Sequence, residues 1–156
     1  MSIPTVITFS DDRRAALAAI GAVGDGRGWC NVSPNVEEEV PDMKVNYFGL
    51  RLNKGVTVAT FVTTAPRHGV AQPSTLGVLH SRSRLGSERI TSMLAGAPFT
   101  VRQDHNTRGL LLEVPVATSA EQVLTVMCSL TESLCDYEFT GKWTLSQFPS
   151  RDGVSL

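Results

Sequence analysis

The chain has 156 residues, 42% of them hydrophobic and 19% charged, with a net charge of −1. That length supports a single domain, residues 1–156, whose core needs no disulfide or metal staple. The composition excludes a disordered chain, and the near-neutral balance excludes whole-molecule attraction to nucleic acid or to an anionic membrane.

The opening "TVITF" reads either as a short strand or as an extended arm. "SDDRRAALAAIGAVGDG" then reads as a helix. Ser10 stands at its N-cap, and Asp11 and Asp12 lie in the first turn where the helix dipole favours anions. Leu17, Ile20 and Val23 give one apolar stripe, and Gly24 and Gly26 end it. Residues 24–42 read as a loop, because Gly, Pro and Asn punctuate them. Glu37, Glu38, Glu39 and Asp42 make that loop acidic: a solvated surface, or a patch facing a partner.

The period then changes to two. "VNYFGLRL", the turn "NKG" and "VTVATFV" predict a hairpin from Val45 to Val62. "STLGVLHSR" predicts a third strand with Leu76, Val78 and His80 on one face. "GSERITSMLAGAP" predicts a short helix capped by Ser87, with Ile90, Met93 and Leu94 inward and Gly96 as its stop. "FTVRQ" and "GLLLEVPV" predict a second hairpin across "DHNTR". The last helix begins at a Thr118–Glu121 capping box and carries Val123, Val126, Met127, Leu130 and Leu134 at helical spacing. Residues 141–156 read as a tail, partly tied down by Trp143 and Phe148 and then frayed. The expected architecture is therefore α+β, ordered helix-βββ-helix-ββ-helix over a core of residues 10–137. A mostly antiparallel five-stranded sheet carries its helices on one face.

That element order, with "EVPVATSAEQVLTVMCSLTESL" running from a strand into a long final helix, resembles the fold of the specialised (type III) secretion chaperones. It is similar also to that of the YbjN-type family of sensory-transduction regulators. The resemblance rests on the order of elements and assigns no residue a role. It implies a mostly non-catalytic domain, often dimeric, that acts by binding other proteins.

Motifs for chemistry are sparse. GxSxG, P-loop, GxGxxG, HExxH and EF-hand patterns do not occur, and the Gly21–Gly28 run reads as a helix end and loop. Cys30, Cys128 and Cys135 have no zinc-ligand spacing. On one helix, Cys128 and Cys135 would stand about 10.5 Å apart, too far for a disulfide. No metal and no cofactor are expected, and reduced thiols fit a cytoplasmic protein. The first residues lack a basic start and a long apolar run, so no secretory signal is expected. A site combining His80 with a Cys30 nucleophile requires the fold to bring the two together.

The stretch "LHSRSRLGSERI" concentrates charge. Arg82 and Arg84 end a strand, Ser87 and Arg89 open a helix, and Arg102 and Arg108 lie on the next hairpin. Free N–H groups at that helix start predict a place for an anion or a partner's acidic surface; self-paired arginines are the other reading. Function therefore divides three ways. The first is a non-enzymatic, cytoplasmic protein-binding domain, chaperone-like or a regulatory adaptor, that also self-associates. The second is an anion- or small-molecule-binding domain, or a small enzyme, using His80, Arg82 and Arg84. The third is a weak nucleic-acid binder, disfavoured by the scarcity of aromatic residues near these arginines.

Overall fold

The computed structural model describes residues 3–40 and 55–149. Its elements run β1 (Thr5–Phe9), α1 (Arg14–Ala22), β2 (Gly28–Val36), β3 (Val58–Val62), β4 (Ser74–Leu79), α2 (Ser87–Leu94), β5 (Thr100–His105), β6 (Gly109–Val114), α3 (Ala120–Ser133) and β7 (Phe139–Pro149). The class is α+β as expected, but the described residues form one antiparallel sheet of seven strands, ordered β1-β7-β2-β3-β4-β6-β5. Three differences from the sequence reading produce that change. "TVITF" is an edge strand. The supposed loop 24–42 contains β2. The supposed tail supplies β7, which lies between β1 and β2.

The reason lies in an alternation that turn-forming residues conceal. Along β2, Cys30, Val32 and Pro34 are buried while Trp29, Asn31 and Ser33 are only half-buried. Pro34 is tolerated because the ladder to β7 shifts register between Pro34 and Val36, and a bulge does not need the missing donor. In β7 the buried residues are Trp143 and Leu145. The Val45–Lys54 half of the expected hairpin lies outside the described residues; its other half is β3.

Register explains the core. The paired residues Ile7, Leu145, Val32, Ala59, Val78 and Leu110 form one row across six strands. The next row holds Cys30, Phe61, Leu76 and Leu112. Both rows face the helices: α1 packs on β1, β2 and β7, α3 packs on β2 and β3, and α3 also touches α1 and α2. The stripe of α3 is buried as predicted, at Val123, Val126, Met127, Leu130 and Leu134. It is widened by Leu124, Cys128 and Thr131, whose hydroxyl donates to the Met127 carbonyl.

Helix starts differ from the expected caps. The N-cap of α3 is Ser119, whose hydroxyl accepts the Gln122 N–H, while the Thr118 hydroxyl donates to the Pro115 carbonyl. The N-cap of α2 is Gly86, so Ser87 is its first helical residue and makes no side-chain cap bond. A positive φ of 88° at that position suits glycine. Helix α1 begins at Arg14 rather than after Ser10, and Asp12 accepts the Arg14 N–H.

Candidate partner-binding surface

The arginine set is largely answered by the protein's own carboxylates. Arg102 donates to Glu113 at 2.7 Å, Arg82 lies 3.6 Å from Asp136, and Arg84 lies 3.6 Å from Asp104. The N–H groups entering α2 are also taken. Asp104 Oδ1 accepts the Leu85 N–H and Oδ2 the Gly86 N–H, both at 2.8 Å. The carboxylate at the entry to α2 is thus Asp104, reaching across from β5 to the two residues that precede Ser87. Burial pushes its carboxyl up, but the two backbone donors, then Arg84 and His80, outweigh that and hold it below its ordinary value. Arg89 and Arg108 are exposed and form no ion pair among the described residues.

His80 is buried just past β4, and its Nδ1 accepts the Arg82 N–H at 3.2 Å. Cys30 is buried beneath α1, its thiol pushed up to about 12 by desolvation. Cys30, Phe61 and Leu76 share a row and His80 lies four residues further along β4, so the Cys30–His80 separation is about 16 Å from strand spacing alone. The fold therefore does not bring the pair together. His105 closes the β5–β6 turn, its Nδ1 accepting the Thr107 and Arg108 N–H groups. A cleft of ≈ 210 Å³ is lined by Ile20, Phe61, Gln72, Val114, Thr118 and Val123, among others. It lies at the opposite end of β4 from His80, and none of His80, Arg82 or Arg84 lines it.

Glu37, Glu38 and Glu39 are exposed just after β2, tied to the start of β7 by a Glu37 N–H bond to the Glu138 carbonyl. Asp42 lies outside the described residues. Strands β2 and β4 both pair antiparallel with β3, so they run in the same direction. The acidic residues after β2 and the arginines after β4 consequently share one end of the sheet.

The surface that the sequence reading missed is the sheet face turned away from the helices. One row across it reads Val6, Ser146, Asn31, Thr60, Gly77 and Leu111. The next reads Phe148, Trp29, Val62, Thr75 and Glu113. Trp29 and Phe148 stack with ring centres 4.7 Å apart and planes within 9°. The Thr60 hydroxyl donates to Asn31 at 2.8 Å and the Thr144 hydroxyl to Asn35 at 2.7 Å. Within these rows the only charge is Glu113, which Arg102 neutralises. The available signal was the period-two pattern of "GWCNVSPNV" and "FTGKWTLSQFP", which places Trp29 and Phe148 opposite the core residues of their own strands.

No family model, no curated protein and no solved structure matches this chain. Among the described residues no helix is long and apolar enough to cross a membrane, and no cluster of His, Cys, Asp or Glu is arranged to hold a metal ion.

Proposed function

We propose that this chain is a non-enzymatic protein-binding domain, chaperone-like or a regulatory adaptor, that docks its partner on the sheet face that the described residues leave uncovered. The observation that carries the reading is the composition of that face. It has an aromatic pair, Val62 and Leu111 for apolar contact, Thr, Ser and Asn groups for hydrogen bonds, and a single neutralised charge. Interface centres have this character: depleted of charge and enriched in aromatic residues, with a polar rim. The rim is supplied by Glu37, Glu38 and Glu39 at one end and by Arg82 and Arg84 beside them. The arginines' own carboxylate partners favour this reading over an anion site at His80, Arg82 and Arg84. Three unpaired thiols suit a reducing, cytoplasmic setting.

The test is affinity capture from native lysate with three proteins. A partner recovered by wild type and by Arg84→Glu, but lost by Val62→Arg, supports docking on the open face. Loss by Arg84→Glu with retention by Val62→Arg moves the site to the arginine end. Recovery of nothing by the wild type under any condition overturns the protein-binding reading.

A further inference from the structure

We infer that a second copy of this chain joins the sheet along β1, so that the seven strands of the described residues in each copy form one continuous sheet. The inference starts from a contrast between the two edges. At β5 the register breaks between Val101 and Gln103, Arg102 supplies a charge, and Asp104 turns to bind the Leu85 and Gly86 N–H groups. Bulges and charges of this kind are how natural sheets block edge-to-edge pairing. At β1 none of these devices is present. "TVITF" holds no charge, Gly or Pro, and its register against β7 is unbroken over five residues. Val6 is 60% exposed and the nearby Ile3 is 89% exposed. A groove of ≈ 470 Å³ runs beside the strand, lined by Ile7, Phe9, Ser10, Arg14 and Ala15 among others.

The occupant that fits is the same segment. Pro4 lacks the N–H needed to extend the ladder and bounds it on one side; the turn at Ser10 bounds it on the other. The symmetric centre of the five residues is Ile7. An antiparallel two-fold about Ile7 sets Ile7 against its own copy, Val6 against Thr8 and Thr5 against Phe9. Each is a β-branched or aromatic pair, the kind that stabilises adjacent strands, and no like charges meet. The row running from Leu110 to Ile7 then continues into the second copy. Such a ladder buries less than the ~1,200 Å² of a standard interface, so the dimer is weak and dissociates on dilution. This association does not depend on the open face binding anything, and its test is separate.

Sedimentation velocity should show a monomer of 16.8 kDa converting to a dimer as concentration rises. The variant carrying Val6→Lys and Thr8→Lys opposes ammonium groups twice across the ladder and should weaken the dimer about tenfold. Mixing it with the variant carrying Val6→Glu and Thr8→Glu should restore a heterodimer, a result that a misfolded variant does not produce. On a Cys135→Ser background, Ile7→Cys should cross-link to itself on oxidation and Val6→Cys should not, because its own copy lies two positions along. A strict monomer at every concentration overturns the inference. So does a dimer indifferent to the charge exchange, which places self-association on another surface.

Discussion

Removing the Asp104 carboxylate is the sharpest test of how the arginine-rich segment is held. The side chain is 9% exposed and accepts two backbone N–H bonds at 2.8 Å, while Arg84 beside it is 79% exposed at 3.6 Å. Hydrogen bonds to a charged group contribute about 1.5–3 kcal/mol each, and water partly replaces them at half-buried Leu85 and Gly86. Asp104→Ala should therefore cost about 3 kcal/mol. Asp104→Asn keeps one acceptor and should cost about half of that. Arg84→Ala, which breaks only an exposed ion pair, should stay within about 0.5 kcal/mol. The sign of the pH effect follows from the depressed carboxyl. Its contribution is complete above the unfolded value near pH 4 and is lost as pH falls through the lower folded value. Urea unfolding followed by fluorescence of Trp29 and Trp143, at neutral pH and at about pH 2–3, measures all of this. The gap between wild type and Asp104→Asn should shrink in acid. A gap that persists unchanged, or an Arg84→Ala loss equal to that of Asp104→Ala, refutes the assignment of Asp104 as the group that holds the turn.

Four further outcomes follow from the geometry. Gly109→Ala should cost more than about 3 kcal/mol, because φ is +85° and a Cβ would lie 2.2 Å from the Val78 carbonyl oxygen. Gly69→Ala, with φ of +74° but open space around it, should cost only about 1 kcal/mol in the same unfolding assay. A thiol reagent at neutral pH should label Cys135 in the native protein and reach Cys30 and Cys128 only in denaturant, since both are buried with thiols pushed up to about 12 and about 11. Leu145→Ala should cost about 3 kcal/mol, as for a fully buried core leucine, where a frayed tail would give a change near zero.

How much of this was legible varies by element. Helix α3, helix α2 and the β5–β6 hairpin were readable because period and stop residues agreed within each segment, although each helix is capped one residue away from the expected cap. Strands β2 and β7 were not, because Gly, Pro and Asn in "GWCNVSPNV" and the polar residues of "FTGKWTLSQFP" outweighed a short alternation. That misreading hid the proposed docking face, since Trp29 and Phe148 belong to those two strands. The arginines were visible by type, but Asp104 and Asp136 stand far from Arg84 and Arg82 in sequence. Only the fold reveals that Asp136 meets Arg82, and that Asp104 meets Arg84 and the N–H groups of Leu85 and Gly86 before α2.

The arrangement of charge and apolar surface makes a final prediction about how a partner binds. Opposite charges lie at one end of the sheet, because β2 and β4 run the same way, and the open face beside them is nearly neutral. Exposed charges act through solvent, over a Debye length of about 8 Å at physiological salt, and chiefly steer the encounter. Buried apolar and aromatic contacts chiefly set how slowly the complex parts. Raising salt should therefore slow association with the captured partner while leaving dissociation nearly unchanged. Val62→Arg should do the reverse and raise the dissociation rate. Surface plasmon resonance with immobilised partner separates the two rates directly. If salt accelerates dissociation more than it slows association, the charged end, not the Trp29–Phe148 face, carries the binding.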